Sequence, residues 1–271
     1  MKINILLSII LFLFLFWEKI ISSILRVALY FPVAITSSQD HEIRYYEQYN
    51  NCKIDNIKVI TVDNCELDVL ISRKKNMNKY IIYSHGNAGS IYNRFHMMKI
   101  LNKFGNVVMY DYRGYGKSSG YPDELGTYQD ILAIWNYLVN EIGIAPENIT
   151  LYGESLGCAI TSWLGDHLAE YKIYPNKIIL CSGFSSLGDI IHDLTSLPIS
   201  LFNGRYNTCK YLSNLDGTLP IYILHSEHDG LIPISHAHRN TCCNNCIFFE
   251  IGGTHNDPDF KDTLDKIFEM D

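Results

Sequence analysis

The sequence lacks the features of a nucleic-acid-binding protein and those of an intrinsically disordered protein. It has no long basic run and a formal net charge of −7, whereas a nucleic-acid binder needs a basic face that neutralises phosphates. Charged residues make up only 19% of the chain and hydrophobic residues 47%, which excludes an intrinsically disordered protein. Internal repeats and low-complexity blocks are also absent, so repeat architectures are excluded. A chain of 271 residues can bury a sizeable core.

A second pair of cysteines at zinc-finger spacing is missing as well. Cys243 and Cys246 form one C-x-x-C pair, and His236 and His238 are the nearby residues that would have to complete a zinc site. We prefer a structural interpretation of the cysteines, as buried or surface thiols or as one disulfide among them. Their even number leaves an oxidising compartment open. We therefore predict no metal and no organic cofactor.

Charge is absent from most of the amino-terminal region. The fifteen residues between Lys2 and Glu18 read INILLSIILFLFLFW, and bulky apolar residues continue beyond Lys19 as far as Phe31. A bilayer-spanning helix needs about 20 apolar residues, and tilt or an extended lysine side chain covers the small deficit. We predict an uncleaved, single-pass membrane anchor at residues 1–31, of undecided orientation. A cleaved signal peptide is the alternative, but no small-x-small cleavage site follows.

After a polar connecting segment at residues 32–55, short β-rich runs alternate with helix-like stretches. Strands are predicted at 57–62, 66–72, 79–84, 106–112, 149–153, 177–183, 220–226 and 246–251, and helices near 91–103, 124–141, 156–170, 235–243 and 258–269. From Tyr80 onward the strands are apolar at odd and even positions alike, as in strands that are covered on both faces. We therefore predict the α/β class, with a mostly parallel central sheet, helices on both faces and one domain at residues 56–271.

The motif LYGESLG, residues 151–157, places Ser155 between a predicted strand and a predicted helix. Gly153 and Gly157 suit a sharp turn, because only residues without a Cβ let a strand and a helix pass so closely. A serine there also lies near the positive end of the helix, which favours developing negative charge. We predict that Ser155 is a nucleophile; the alternative is an ordinary serine in a glycine-containing loop. Glu154 is interpreted as a solvated or helix-start carboxylate.

A serine nucleophile needs a base, and the base needs an acid that orients it. His255 in GGTHND and Asp229 in HSEHDGLIP each follow a predicted strand directly, and open α/β sheets gather their ligands at such strand ends. We predict His255 as the base and Asp229 as the acid, with Glu227 and Asp189 as alternatives for the acid.

The tetrahedral intermediate of such a reaction also needs N–H donors for its oxyanion. One donor is predicted from Leu156, the residue after the nucleophile. The other is predicted from Asn87 in SHGNAGS, the loop that follows the strand at 79–84, with Ala88 as the next choice.

Taken together, these motifs resemble those of the α/β-hydrolase superfamily. YSHGNAGS, YDYRGYGKSSG, LYGESLG, HSEHDGLIP and GGTHND occur in the order typical of that superfamily across about residues 57–270. More narrowly, they are similar to its membrane-anchored Bem46-like group. The resemblance implies an α/β-hydrolase fold with Ser155, Asp229 and His255 as the catalytic triad. It also implies that Asp111 and Arg113 brace the loop beneath the nucleophile.

The segment between the strands at 177–183 and 220–226 is long for a simple connection. We predict that residues 184–219 form a small cap over the site. Its apolar residues would line the cap, although core packing explains them equally well: Ile190, Ile191, Leu194, Leu197, Ile199, Leu201 and Phe202.

The sequence thus predicts a membrane-anchored serine hydrolase that cleaves a carboxylic ester or thioester of a lipid-like or acylated substrate. An amide or peptide hydrolase with the same three residues is one alternative. A non-catalytic membrane-bound binding protein that retained the fold is the other. Related protein depalmitoylases carry a cysteine cluster at the extreme N-terminus, whereas the first cysteine of this chain is Cys52.

Overall fold

A computed structural model describes residues 19–20, 23–35, 40–50, 52–198, 202 and 204–270. The uncharged run at residues 3–17, on which the predicted membrane anchor depends, lies outside these ranges. Among the helices within them, none combines the length and the apolar character needed to cross a membrane.

Strands and helices alternate along the chain. The helices are α1 at residues 23–28, α2 (Asp40–Asn50), α3 (Phe95–Leu101), α4 (Glu124–Asn136), α5 (Leu156–Glu170), α6 (Leu187–Thr195), α7 (Thr208–Ser213), α8 (Ser235–Asn240) and α9 (Lys261–Glu269). The strands are β1 (Phe31–Pro32), β2 (Lys53–Ile60), β3 (Glu66–Arg73), β4 (Tyr80–Ser84), β5 (Ala88–Gly89), β6 (Asn106–Tyr110), β7 (Ile149–Glu154), β8 (Lys177–Cys181), β9 (Ile221–Ser226), β10 (Cys246–Thr254) and β11 (Asp257–Asp259).

A 9-stranded sheet forms the centre of the molecule, in the order β11-β10-β9-β8-β7-β4-β6-β3-β2. The strands from β6 to β10 in this order pair in parallel, while β2, β3 and β11 pair antiparallel at the two ends. The prediction of a mostly parallel sheet is therefore confirmed. Because the parallel strands run in one direction, the carboxyl ends of β4, β7, β9 and β10 meet at one edge.

Apolar side chains cover both faces of the central strands. Every residue of β4, β6 and β8 is buried. Adjacent residues enter different clusters: Ile82 belongs to a cluster that includes residues of α4 and α5, and Ile81 belongs to one that includes residues of α3 and α9. This two-sided core is why the strands read as apolar at every position, and it holds the carboxyl edge of the sheet in place.

The segment predicted as a polar connection contains regular structure. Helix α2 lies within it, and β2 begins at Lys53, before the predicted start of the domain. Residues predicted as the end of the anchor also contact the domain: Leu25 and Tyr30 are buried in the core, and the Tyr30 hydroxyl is 2.7 Å from the Tyr206 hydroxyl. Local sequence patterns missed this packing because its partners are distant in the chain. The division into anchor, connection and domain stays a prediction.

Candidate active site

Ser155 stands between β7 and α5, at a turn with unusual backbone geometry. Its φ is 52° and its ψ is −115°, a region that residues with a Cβ rarely adopt. The flanking glycines permit the turn. A Cβ on Gly157 would lie 2.1 Å from the Ser84 carbonyl oxygen, and a Cβ on Gly153 would lie 2.6 Å from the Gly157 carbonyl oxygen. The predicted steric need for these two glycines is therefore confirmed.

His255 and Asp229 lie together at the carboxyl edge of the sheet. The His255 Nδ1 is 2.8 Å from the Asp229 Oδ2, and the Asp229 Oδ1 accepts the backbone N–H groups of Leu231 and Ile232 at 2.9 and 2.8 Å. Burial alone would raise the pKa of Asp229, but the hydrogen bonds from His255 and Ile232 outweigh it and hold the pKa below its usual range. Asp229 is thus a fixed anionic acceptor that orients the imidazole with Nδ1 toward it.

The two alternative acids lie in other surroundings. Glu227 is exposed. Asp189 lies at the start of α6, where its Oδ2 accepts the Ser185 hydroxyl at 2.6 Å and its backbone N–H donates to the Ser186 Oγ at 3.0 Å. The acid that contacts His255 is Asp229.

Ser155 and His255 line adjoining cavities rather than a common one. Glu154, the neighbour of Ser155, lines the cavity of His255. Within the described part of the chain, no hydrogen bond joins the Ser155 hydroxyl to the imidazole, whose Nδ1 is engaged by Asp229. Its Nε2 is left for a second partner, and in ligand-free sites the contact between nucleophile and base often closes only when substrate binds.

Leu156 and Asn87 both line the cavity that contains Ser155. Leu156 is the first residue of α5, where backbone N–H groups have no partner within the helix. Two hydrogen bonds hold the loop at Asn87. The Asn87 carbonyl accepts the Phe31 N–H at 2.9 Å and the Tyr115 hydroxyl at 2.8 Å. The structure thus brings the two predicted donor residues to one cavity.

Two cavities that differ in polarity lie at this site. The first has a volume of about 260 Å³ and is mainly apolar; beside Ser155, Leu156 and Asn87 it is lined by Leu25, Ala28, Leu29, Phe31, Phe184, Leu187, Ile190, Ile191, Leu194, Leu231 and Ile232. The second has a volume of about 760 Å³ and a mixed lining, in which Met97, Ile100 and Phe260 stand beside many polar and charged residues. We call it the polar cavity for the latter, which include Arg94, His96, Glu154, His255, Asn256, Asp257, Asp259 and Lys261. The serine therefore opens onto an apolar space and the histidine onto a polar one.

The predicted cap lining is divided between cavity, core and surface. Ile190, Ile191 and Leu194 line the apolar cavity, whereas Phe202 packs in the core and Leu197 is 46% exposed. Ile199 and Leu201 lie outside the described residues. Residues of α1 and β1 also line the apolar cavity, which we did not predict from the sequence. The apolar residues that continue past Lys19 were the signal that could have indicated this role.

Asp111 and Arg113, which the family resemblance implies brace the loop beneath the nucleophile, make buried polar contacts with neighbouring segments. The Asp111 Oδ1 accepts the Ile91 N–H at 2.9 Å and lies 3.5 Å from the His85 Nε2. Burial lowers the pKa of His85 and raises that of Asp111, which disfavours charge on both. Arg113 donates to the Asp130 carboxylate from its backbone N–H at 2.8 Å and from its Nε at 2.9 Å. These contacts tie the loops after β4 and β6 to the core.

Glu154, predicted as a solvated or helix-start carboxylate, is half-buried and ends β7 just before α5 begins. It accepts a hydrogen bond from the hydroxyl of Tyr83, a fully buried residue of β4. Arg94 is nearby, and its guanidinium donates to the Ala88 carbonyl at 2.7 Å. Burial alone would lower the pKa of Arg94, but the neighbouring Tyr83 and Glu154 raise it. The register of β4 against β7 creates this arrangement, and no local pattern reveals it.

Cys243 and Cys246 are joined by a disulfide bond, so the C-x-x-C pair is not arranged as metal ligands. In the described ranges, no group of three or more histidines, cysteines or acidic residues is placed to hold a metal ion.

Comparisons with known proteins agree with this geometry. The family model described as "alpha/beta hydrolase fold" matches residues 79–187. Protein R595 of Acanthamoeba polyphaga mimivirus is 32% identical over 254 residues, which cover 83% of this chain and 85% of the relative. The protein named "Putative alpha/beta hydrolase L404", from the same virus, is 31% identical over 204 residues, 72% of this chain and 74% of the relative.

A relative that matches a shorter part of the chain and a solved structure extend the comparison. The lysophosphatidylserine lipase ABHD12 of Danio rerio is 31% identical over 173 residues, which are 56% of this chain and 44% of the lipase. The chain therefore spans less than half of that enzyme. The crystal structure of an alpha-beta hydrolase from Vibrio vulnificus superimposes with a TM-score of 0.70 at 21% identity, covering 88% of this chain and 96% of the other, which shows the fold. From the sheet, the serine turn and these relatives we conclude that this chain is a hydrolase belonging to the α/β-hydrolase fold family.

Proposed function

We propose that this chain is a membrane-anchored serine hydrolase that cleaves the ester or thioester bond of a long acyl chain, with Ser155, His255 and Asp229 as its catalytic triad. One observation carries the proposal. Ser155 occupies a strained strand-to-helix turn that opens onto an apolar cavity, and a hydrogen-bonded His255–Asp229 pair lines the cavity next to it.

In the first half-reaction the Ser155 oxygen bonds to the acyl carbonyl carbon while the His255 Nε2 takes the hydroxyl proton. The π electrons of the carbonyl move to its oxygen, and the backbone N–H groups of Leu156 and Asn87 stabilise the resulting oxyanion. Asp229, ionised at neutral pH, stabilises the imidazolium. The intermediate then collapses: its C–O or C–S bond breaks, and His255 gives its proton to the departing alcohol or thiol.

In the second half-reaction water replaces the departed group. His255 takes a proton from the water molecule as its oxygen bonds to the acyl carbon. Collapse of this second intermediate breaks the bond to Ser155, returns the proton to the serine oxygen and releases a carboxylic acid.

The two cavities orient the substrate. The leaving group receives its proton from His255 and must therefore lie on the side of the polar cavity, where Arg94 and Glu154 are among the lining residues. The acyl chain then occupies the apolar cavity beside Ser155, where each buried CH₂ contributes about 0.8 kcal/mol. This division favours a substrate with an apolar acyl chain and a polar alcohol or thiol.

Membrane attachment is the second component of the proposal. The uncharged run at residues 3–17 would hold the protein in a bilayer as a single-pass anchor, and such an anchor is typical of the Bem46-like group, in which we place the chain. The zebrafish relative is by its name a lipase of lysophosphatidylserine, which supports a lipid-like substrate. A tethered enzyme meets bilayer-resident esters at a raised effective concentration.

Labelling by a fluorophosphonate probe tests the triad. The wild type should be labelled, and Ser155→Ala should lose both the label and ester hydrolysis while keeping its melting temperature. A binding protein that retained the fold would leave the wild type unlabelled. Matched ester, thioester and amide substrates with one acyl chain then separate the esterase from an amidase, since we expect turnover of the amide to be the slowest.

A further inference from the structure

Large apolar side chains surround the mouth of the apolar cavity and remain exposed. Three of them line the cavity yet expose about half of their surface, namely Phe31 at 50%, Leu194 at 58% and Leu231 at 45%. The others adjoin these three on α1 and after the end of α6. We call this set the apolar rim; it consists of Ile24, Val27, Phe31, Leu194, Leu197 and Leu231.

The apolar rim is assembled from three segments that are distant in the sequence: α1 with β1, the end of α6, and the loop after β9. Helix α1 shows the arrangement most clearly. Leu25 is buried at 6% exposure, whereas its neighbours Ile24 and Val27 are exposed by 53% and 79%. Helix α1 thus exposes two large apolar side chains beside Ser23 and Arg26, whereas a surface helix normally turns its apolar residues toward the core. Exposed apolar patches of this kind mark contacts with proteins or membranes.

We infer that the apolar rim docks into the surface of a lipid bilayer, so that the apolar cavity opens directly into the lipid. The chain itself indicates the occupant, because the uncharged run at residues 3–17 ends shortly before α1. The rim therefore continues, along the sequence, into the segment with the highest affinity for hydrocarbon.

One pair of residues beside the rim is of the type that is enriched at membrane interfaces. Arg26, which precedes Val27, places its guanidinium 5.8 Å from the centroid of the Tyr121 ring. That ring is itself 73% exposed. Aromatic rings and basic side chains beside an apolar surface are enriched at the level of lipid headgroups. A soluble partner or a second copy of the chain would not require this combination.

This inference rests on the proposed function, since a docked rim matters to catalysis only if an acyl chain enters the apolar cavity. Docking would let the chain move from the bilayer past Phe31, Leu194 and Leu231 to Ser155 without crossing water. It would leave the polar cavity of His255 to receive the headgroup.

The test compares two substrates of the full-length protein in phosphatidylcholine vesicles: a long-chain ester resident in the bilayer, and a short-chain ester dissolved in water. The variant is Val27→Glu combined with Leu197→Glu, because neither residue lines the apolar cavity or the polar cavity. The matched control is Tyr171→Glu combined with Ile173→Glu. These residues are 65% and 36% exposed and follow α5, which runs away from the site.

Hydrolysis of the vesicle-resident ester should fall at least about tenfold in the rim variant, since the burial of two apolar side chains is lost, while the soluble ester is hydrolysed at the wild-type rate. The control should match the wild type on both substrates. Equal loss on both esters, or no loss on either, would overturn the inference. So would unchanged vesicle activity with loss of a crosslinked dimer, which would assign the rim to a second copy. A wild type inactive on both esters would instead refute the proposed function.

Discussion

The dependence of activity on acyl-chain length follows from the apolar cavity, and it can be calculated and perturbed. If the acyl chain is buried beside Ser155, each added CH₂ contributes about 0.8 kcal/mol, which is about a fourfold gain in kcat/KM per methylene. Lengthening acetyl to hexanoyl should therefore raise kcat/KM about two hundredfold. The gain should stop once a cavity of about 260 Å³ is filled.

Ile191→Asp is the perturbation that tests this explanation. Ile191 lines the cavity and is half-buried, so a carboxylate there removes apolar surface from the chain path with less disturbance than in the closed core. We expect the gain to fall below about twofold per methylene. The control is Ile173→Asp, 36% exposed after α5. The assay is kcat/KM for a series of p-nitrophenyl esters. A preference for acetyl, or equal slopes in both variants, would refute the reasoning.

Four further predictions concern the triad and the amino-terminal segment. Ser155→Ala should lower kcat by several orders of magnitude without changing the thermal unfolding curve, because only the nucleophile is removed; wild-type turnover by this variant would contradict the assignment. Asp229→Asn should cost about 10⁴ in kcat, since an amide no longer fixes the His255 tautomer; a loss below tenfold in steady-state kinetics would count against the acid role. Folding lowers the pKa of Asp229, so its carboxylate stabilises the fold above the ordinary aspartate pKa of about 3.9, and this contribution is lost as pH falls through the folded-state pKa. Urea unfolding should accordingly show the stability difference between wild type and Asp229→Asn shrinking from pH 5 to pH 3. Removing residues 1–18 should leave hydrolysis of a soluble ester intact, whereas removing residues 1–31 should abolish it, because the second cut also takes away Leu25 and Tyr30 from the core.

Sequence patterns were sufficient for the class of the fold and for the order of its motifs. Strands such as β4 read as apolar at every position because both faces of the sheet are covered, and that burial is recorded locally in the residues themselves. The need for Gly153 and Gly157 was equally local, since a turn that brings β7 against α5 leaves no room for a Cβ. Such properties depend on residues that are close together in the chain, so they can be recognised from the sequence.

The tertiary structure decided everything that depends on which distant segments meet. Glu227 and Asp229 are two residues apart, and a motif cannot say which carboxylate faces His255; the path of the loops after β9 and β10 turns Asp229 toward it. The bond from Tyr83 to Glu154 required the register of two strands. The apolar cavity required α1 and β1 to pack against a loop more than fifty residues away, where the N–H of Phe31 in β1 donates to the Asn87 carbonyl at 2.9 Å. The hydrophobic effect that drives this packing is non-directional, so the sequence does not show which distant segments will pack together. The folded structure is needed to identify them.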